Sequence, residues 1–313
     1  MNKEIKIIFM GTPEFSVPVL EGLIENYNVI SVVTQPDKPV GRGGKIVMSP
    51  IKNVALKNNI TVLQPKKIKE EYEELINLKP DFIITCAYGQ IIPQILLDLP
   101  KYGCINVHAS LLPKLRGGAP IHHAIIDGYD KTGITIMYMD KQMDTGDIID
   151  KKEVKISDND TMTSLHDKLK IIGRDLLLET LPNLINGKIK AVKQNDNEAT
   201  YAYNITKEEE KINFNKTKKE IYNQIRGLNS FPGAYALIDG KRIKIWNSYI
   251  TDKIYPTKKN GEISNIYKDG IGIKVSDGEI VITDIQLEGK KRMLARNYIN
   301  GINKDELKGK ILK

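Results

Sequence analysis

The chain has 313 residues, about two domains' worth, and its 41% hydrophobic and 27% charged residues are globular values that exclude disorder and fibrous architectures. Two cysteines cannot make a disulfide scaffold, no apolar run approaches the roughly 18 residues of a membrane span, and the N-terminus lacks a signal-peptide pattern. The net charge is +8, yet residues 1–200 carry 25 basic and 25 acidic side chains whereas residues 201–313 carry 22 and 14, so all the excess lies in the last third.

In chain order, residues 5–10 read as a short apolar strand and residues 14–27 as an amphipathic helix with Val17, Leu20, Leu23 and Ile24 on one face. A strand at 29–33, a helix at 51–58, a strand at 60–63 and a charged helix at 67–78 follow. Residues 81–86, 104–107 and 134–139 are further apolar strands, and 161–180 a long helix for which Pro182 is the stop signal. Continuous apolar strands separated by helices predict an α/β fold: a doubly wound, mostly parallel sheet with its site at the carboxyl ends of the strands. The last third differs. Asp239–Gly240, Asp269–Gly270 and Asp277–Gly278 each lie between β-prone runs, the signature of two-residue hairpin turns. They predict a small antiparallel β-barrel preceded by a helix at 217–228. The expected division is 1–188, a linker at 189–207, and 208–313. A neutral part beside a basic part suits small-molecule chemistry in one and a polyanion on the other. Cys86 and Cys104 sit in apolar runs and read as buried, reduced thiols, so a cytoplasmic protein is expected.

Several chemistries lack their signatures. There is no Gly-x-Gly-x-x-Gly after the first strand, no phosphate-binding Gly-Lys-Ser/Thr loop, no metal-ligand spacing among two cysteines and four histidines, and no Gly-x-Ser-x-Gly elbow. Acid–base and oxyanion chemistry remains. Asn106 and His108, two apart at the end of a buried strand, share a face; one can donate to an oxyanion and the other can take a proton. In the loop after strand 134–139, Asp144 is placed to approach His108, where a carboxylate orients the ring and stabilises its protonated form. Asp147 competes for that role, Asp140 and Asp144 could each be simple turn residues, and spacing does not choose among them. The Gly- and Pro-rich loop from Gln35 to Lys45 carries Lys38, Arg42 and Lys45 and could grip phosphates.

At the His108 segment the chain resembles the 10-formyltetrahydrofolate-dependent formyltransferases. The resemblance rests on Asn106–Val107–His108–Ala109–Ser110–Leu111–Leu112–Pro113, on Arg116–Gly117–Gly118–Ala119–Pro120 and on Met143–Asp144–Thr145–Gly146–Asp147. It extends to Phe9–Met10–Gly11–Thr12–Pro13, Gln35–Pro36–Asp37, Ile225–Arg226–Gly227–Leu228–Asn229 and Gly289–Lys290–Lys291–Arg292–Met293, which mark the members acting on tRNA. Gly44, Ser230–Phe231 and Leu287 depart from the common pattern. The resemblance implies Asn106, His108 and Asp144 as the catalytic trio, Ser110, Leu111, Leu112 and Pro113 as the folate-binding stretch, and Arg42 with Lys45 as tRNA contacts. It further implies 10-formyltetrahydrofolate as formyl donor, initiator methionyl-tRNA as partner and acceptor, direct acyl transfer with no metal, no membrane association and a monomer. The alternatives are a sister formyltransferase acting on an amino sugar or on glycinamide ribonucleotide, and a tRNA-binding protein without catalysis.

Overall fold

A computed structural model describes residues 2–40 and 44–313. In chain order the first part contains β1 (Asn2–Gly11), α1 (Val17–Asn26), β2 (Tyr27–Val33), β3 (Lys38–Val40), β4 (Lys45–Val47), α2 (Pro50–Lys57), β5 (Thr61–Leu63), α3 (Glu73–Asn77), β6 (Phe82–Cys86), α4 (Gln94–Leu97), β7 (Cys104–His108), α5 (Pro120–Ile126), β8 (Lys131–Tyr138), β9 (Ile148–Lys155) and α6 (Met162–Ile185). The last third holds α7 (Lys207–Glu210), α8 (Lys218–Gly227), β10 (Ala234–Ile238), β11 (Lys241–Thr251), β12 (Ile263–Ile266), β13 (Ile271–Val275), β14 (Gly278–Leu287), β15 (Met293–Leu294) and α9 (Ala295–Asn300). Two compact units result. One comprises Met1–Pro120, Lys131–Lys155 and His166–Tyr203, the other Ile121–Asp130, Ile156–Leu165 and Asn204–Lys313.

The first unit is built on a seven-stranded sheet in the order β5-β2-β1-β6-β7-β8-β9. Five strands run parallel; β8 and β9 add antiparallel at the β7 edge. Every residue of β6 is buried, as a parallel strand covered on both faces requires. The order reverses between β1 and β6, which places the crevice of a doubly wound sheet above their carboxyl ends. Loops there are tied together: the Tyr88 carbonyl accepts from the Thr12 hydroxyl and from the Gln35 amide at 3.3 and 3.1 Å.

Some elements differ from expectation. The helix expected at 67–78 shrinks to α3, because Ile68 is buried and its N–H is taken by the Gln90 side chain, leaving 67–71 as a turn. The helix α6 runs through Pro182 to Ile185. Pro182 forfeits one backbone bond, but Leu181 is buried beside it and the Asn183 amide donates to the Glu179 carbonyl, so burial outweighs the break. The strand β9 was not anticipated: Ile149 is its single buried side chain, so no apolar alternation announces it. The Gln35–Lys45 loop enters a β3–β4 hairpin that pairs Lys38 with Val47 and Val40 with Lys45.

The second unit carries an antiparallel sheet in the order β10-β11-β14-β13-β12, with β15 on β14. Its two edge strands are linked through the chain's last residues. Leu237 and Lys313 exchange backbone bonds of 2.7 and 2.9 Å, while Lys310 and Leu312 bond to Ile263 and Gly261. The helix α8 starts at a reciprocal cap between Thr217 and Glu220 and buries Ile221 and Ile225 in this core. Of the three Asp-Gly pairs, only Asp239–Gly240 has both residues at positive φ, 51° and 75°, as a two-residue hairpin turn demands. The other hairpins form one residue earlier: Val275 pairs with Gly278 across Ser276–Asp277, and Tyr267 bonds Gly270 across Lys268–Asp269. Glu279 is fully buried in β14 and accepts from the hydroxyls of Thr251, Ser264 and Tyr267. Gly272 leaves room for that carboxylate; a Cβ there would collide with it.

Candidate active site

The buried strand β7 ends in the candidate trio's first two members. Asn106 is half-buried, and its Oδ1 lies 2.9 Å from the Thr85 hydroxyl of the neighbouring β6, which is a donor to it. With the oxygen so engaged, the amide N–H₂ is the end left to face a substrate. His108 is only 5% exposed, and its Nε2 sits 3.1 Å from the Leu115 carbonyl. A carbonyl only accepts, so Nε2 carries the hydrogen and Nδ1 is the atom left for proton transfer.

Asp144 supplies the third group. It lies in the loop between β8 and β9 with φ of 57°, its Oδ1 3.6 Å from His108 Nδ1 and its Oδ2 accepting from the Gly117 N–H at 2.8 Å. The other carboxylates are elsewhere: Asp140 is exposed and accepts from Lys141 N as a turn residue does, and the competing Asp147 is exposed while its carbonyl accepts from Tyr138 N. Gly146 follows because a Cβ there would overlap the Tyr138 carbonyl.

The stretch after His108 folds back as a tight turn. The Ser110 hydroxyl is buried and spent on the Lys114 carbonyl at 2.6 Å, while Thr135 bridges Ser110 O and Leu112 N at 2.7 and 3.1 Å. Leu112 is buried; Leu111 and Pro113 are half-buried and offer apolar surface. A flat heterocycle would thus meet backbone and aliphatic edges here rather than the Ser110 side chain. Arg42 lies outside the described residues, as does the side chain of Lys45, whose backbone pairs with Val40 in the β3–β4 hairpin. Beside that hairpin, Lys52 and Gln64 hold the Asp37 carboxyl below its ordinary range, Lys52 at 2.6 Å being the main cause.

Sequence reasoning passed over the groups that support this trio. Arg116, 2% exposed, directs Nε and one terminal nitrogen to Gln194 Oε1 at 3.2 and 2.8 Å and meets Asp196 at 2.7 Å. Gln194 in turn donates to the carbonyls of Asp144 and Gly146 at 2.8 and 2.7 Å. The segment carrying Thr200 and Ala202 is hydrogen-bonded to Leu115, Arg116 and Ala119. A lone glutamine in a polar stretch has no pattern to betray it. Among the described residues, no group of three His, Cys, Asp or Glu side chains gathers as a metal site would, and no helix is long and apolar enough to cross a membrane.

The sequence matches the formyl transferase family over residues 4–181 and the formyl transferase C-terminal domain over 204–303. It is 53% identical over 303 residues to a methionyl-tRNA formyltransferase of a Geobacillus species, covering 95% of this chain and 94% of the relative. It is 52% identical over 301 residues to the one of Staphylococcus aureus, covering 95% and 96%. Among solved structures, an N-formyltransferase of Helicobacter canadensis, in complex with folinic acid and dTDP-3-aminofucose, superposes with a TM-score of 0.67 at 26% identity, covering 89% of this chain and 98% of that one. HypX of Aquifex aeolicus shares the fold, with a TM-score of 0.63 at 18% identity over 94% of this chain and 48% of its own. Two family domains in tandem and half the residues identical along nearly the whole length leave one assignment: this chain belongs to the formyltransferase family, among the methionyl-tRNA formyltransferases.

Proposed function

We propose that this chain transfers the formyl group of 10-formyltetrahydrofolate to the α-amino group of methionine on initiator tRNA, with Asn106, His108 and Asp144 as the reacting machinery. The observation that carries the site assignment is the His108–Asp144 pair at the carboxyl end of β7, 3.6 Å apart. The amine nitrogen attacks the formyl carbon, the new C–N bond forming as the carbonyl electrons move to oxygen. Asn106 Nδ2 donates to that oxyanion, its orientation set by Thr85. The amine proton passes to the His108 Nδ1–Asp144 pair, and the C–N10 bond then breaks as N10 takes a proton, leaving tetrahydrofolate and the formyl amide.

Ser110, Leu111, Leu112 and Pro113 are assigned to the folate, through backbone and apolar edges, and the second unit, with Arg42 and Lys45, to the tRNA. The excess charge of residues 201–313 supports a polyanionic partner. So do Tyr201 and Tyr203, stacked at 5.8 Å and 51% and 65% exposed, as a surface on which the unpaired acceptor end can stack. The protein acts as a cytoplasmic monomer in this reading.

The experiment is a formylation assay with methionyl initiator tRNA and 10-formyltetrahydrofolate, comparing wild type with Asn106→Ala, His108→Ala and Asp144→Asn. Transfer by wild type and a loss of about 10²–10³ in kcat in each variant is expected. Transfer to an amino sugar or another small amine, with none to tRNA, would move the reading to a sister activity. Unchanged kcat in the variants would remove the trio.

A further inference from the structure

Gln194 ties the Asp144 loop to a buried cation, and its amide can sit only one way round. Arg116 offers only donors, so the Gln194 oxygen must face it; the carbonyls of Asp144 and Gly146 only accept, so the nitrogen must face them. All four hydrogen-bonding contacts of the amide are thereby directional. The same short segment reaches Asp144 a second time: Gly117 N, next to Arg116, donates to its Oδ2. A Cβ at Gly117 would lie 2.5 Å from the Ala202 carbonyl, so the backbone here is pinned from behind. Asp144 itself is a non-glycine residue at positive φ, a conformation that persists only when its surroundings impose it.

We propose that Arg116 and Gln194 are positioning residues for formyl transfer: they fix the backbone of Asp144 and Gly146 and thereby hold the Asp144 carboxylate at the Nδ1 edge of His108. The inference rests on the trio assignment above and extends it to residues that touch neither substrate. Arg116 polarises the Gln194 carbonyl, which strengthens the two bonds its amide donates. A displacement of Asp144 by an ångström would leave both substrates' contacts in place and spoil the proton-accepting geometry, an effect of up to 10²-fold in rate.

The test uses the full chain and three variants. Gln194→Glu keeps the size and the acceptor for Arg116 but removes both donors and sets an oxygen against two carbonyls. Gln194→Met removes every bond at nearly constant volume, and Arg116→Lys keeps the charge without the fork. The expected result is a fall in kcat of about 10- to 100-fold in each, with KM for both substrates within about threefold of wild type. Arg116→Lys combined with Gln194→Glu should cost little more than the worse single change, since both act on one loop. A merely structural role predicts otherwise: Gln194→Glu, which gains an ion pair with Arg116, would keep kcat.

The second readout is independent of activity. The Gly117 amide proton, bonded to Asp144 Oδ2, should shift upfield and exchange faster in Gln194→Met while amides of β1 and β6 keep their wild-type values. An unchanged Gly117 amide, or an unchanged kcat in Gln194→Glu, would overturn the proposal. Wild-type protein inactive toward methionyl-tRNA would count against the function instead, and the Gly117 signal would still decide the role of Gln194.

Discussion

Cys86 and Cys104 close the carboxyl end of β6 and open β7, within the same two strands that carry Thr85, Asn106 and His108. Burial pushes the Cys86 thiol up to about 12 and raises that of Cys104 as well, so both stay protonated near neutral pH and neither is a nucleophile. A thiol reagent at pH 8 should leave the native protein unlabelled and modify both sites once denaturant is added; rapid labelling of the native chain would contradict this. Because the folded value lies above the ordinary one of 9.0, this burial supports folding fully below pH 9 and its contribution is lost as the pH climbs toward 12. Denaturant midpoints measured from pH 8 to 11 should fall accordingly. At this scale the sequence was informative wherever a residue's chemistry is its own. His108, Asn106 and the pair of apolar cysteines announce themselves by type and by strand position. Gln194 does not, since its importance comes entirely from three partners, Arg116, Asp144 and Gly146. The choice of Asp144 over Asp140 and Asp147 was equally closed to spacing, because it depends on a φ of 57° and on the Gly117 N–H.

Elements were legible where an apolar period exists and obscure where bonds to distant residues decide. The helix α8 and its core face follow directly from the Thr217 cap and the spacing of Ile221 and Ile225. That Ile156–Leu165 folds with α8 does not, and Arg226 supplies the reason. This buried guanidinium donates to the carbonyls of Ser157 and Asp160, both at 2.9 Å, and to the Asn223 side chain at 2.9 Å. The 157–160 turn and the start of α6 are further held by the Asp160 carboxylate, which accepts from Ser157 N and the Ser164 hydroxyl. Replacing Arg226 by Met should therefore destabilise the second unit by about 1–3 kcal/mol for the three buried bonds it loses, two to backbone carbonyls and one to Asn223. Chemical denaturation of the full chain reads this directly, and an unchanged midpoint would show that water serves those carbonyls as well. The strand β9 and the shortened helix at 67–78 belong to the same lesson. One is specified by its ladder to β8 with almost no buried side chains, the other undone by a single bond from the Ile68 N–H to the Gln90 side-chain oxygen.

Over the whole molecule, charge is distributed unevenly. Residues 1–200 are neutral and hold the trio, while residues 201–313 hold the surplus of eight positive charges. A protein that recognises a small heterocycle with one part and a polyphosphate with another should show two different salt responses. Each neutralised phosphate contributes roughly 0.9 to the slope of log affinity against log salt for a duplex, so three contacts would weaken tRNA binding about 40-fold when salt rises fourfold. KM for methionyl-tRNA should follow that slope, while KM for 10-formyltetrahydrofolate changes by less than about twofold, since a small molecule carries far fewer charges than a polyphosphate. Arg42→Ala should then lower the tRNA slope by about 0.9, one phosphate's worth, and raise KM for tRNA far more than KM for the folate. A slope of zero in the wild type would detach the basic third from tRNA. A full slope in the wild type that is unaltered both in Arg42→Ala and in Arg42→Ala/Lys45→Ala would leave the charge asymmetry explained and move the phosphate contacts from Arg42 and Lys45 onto lysines of the second unit.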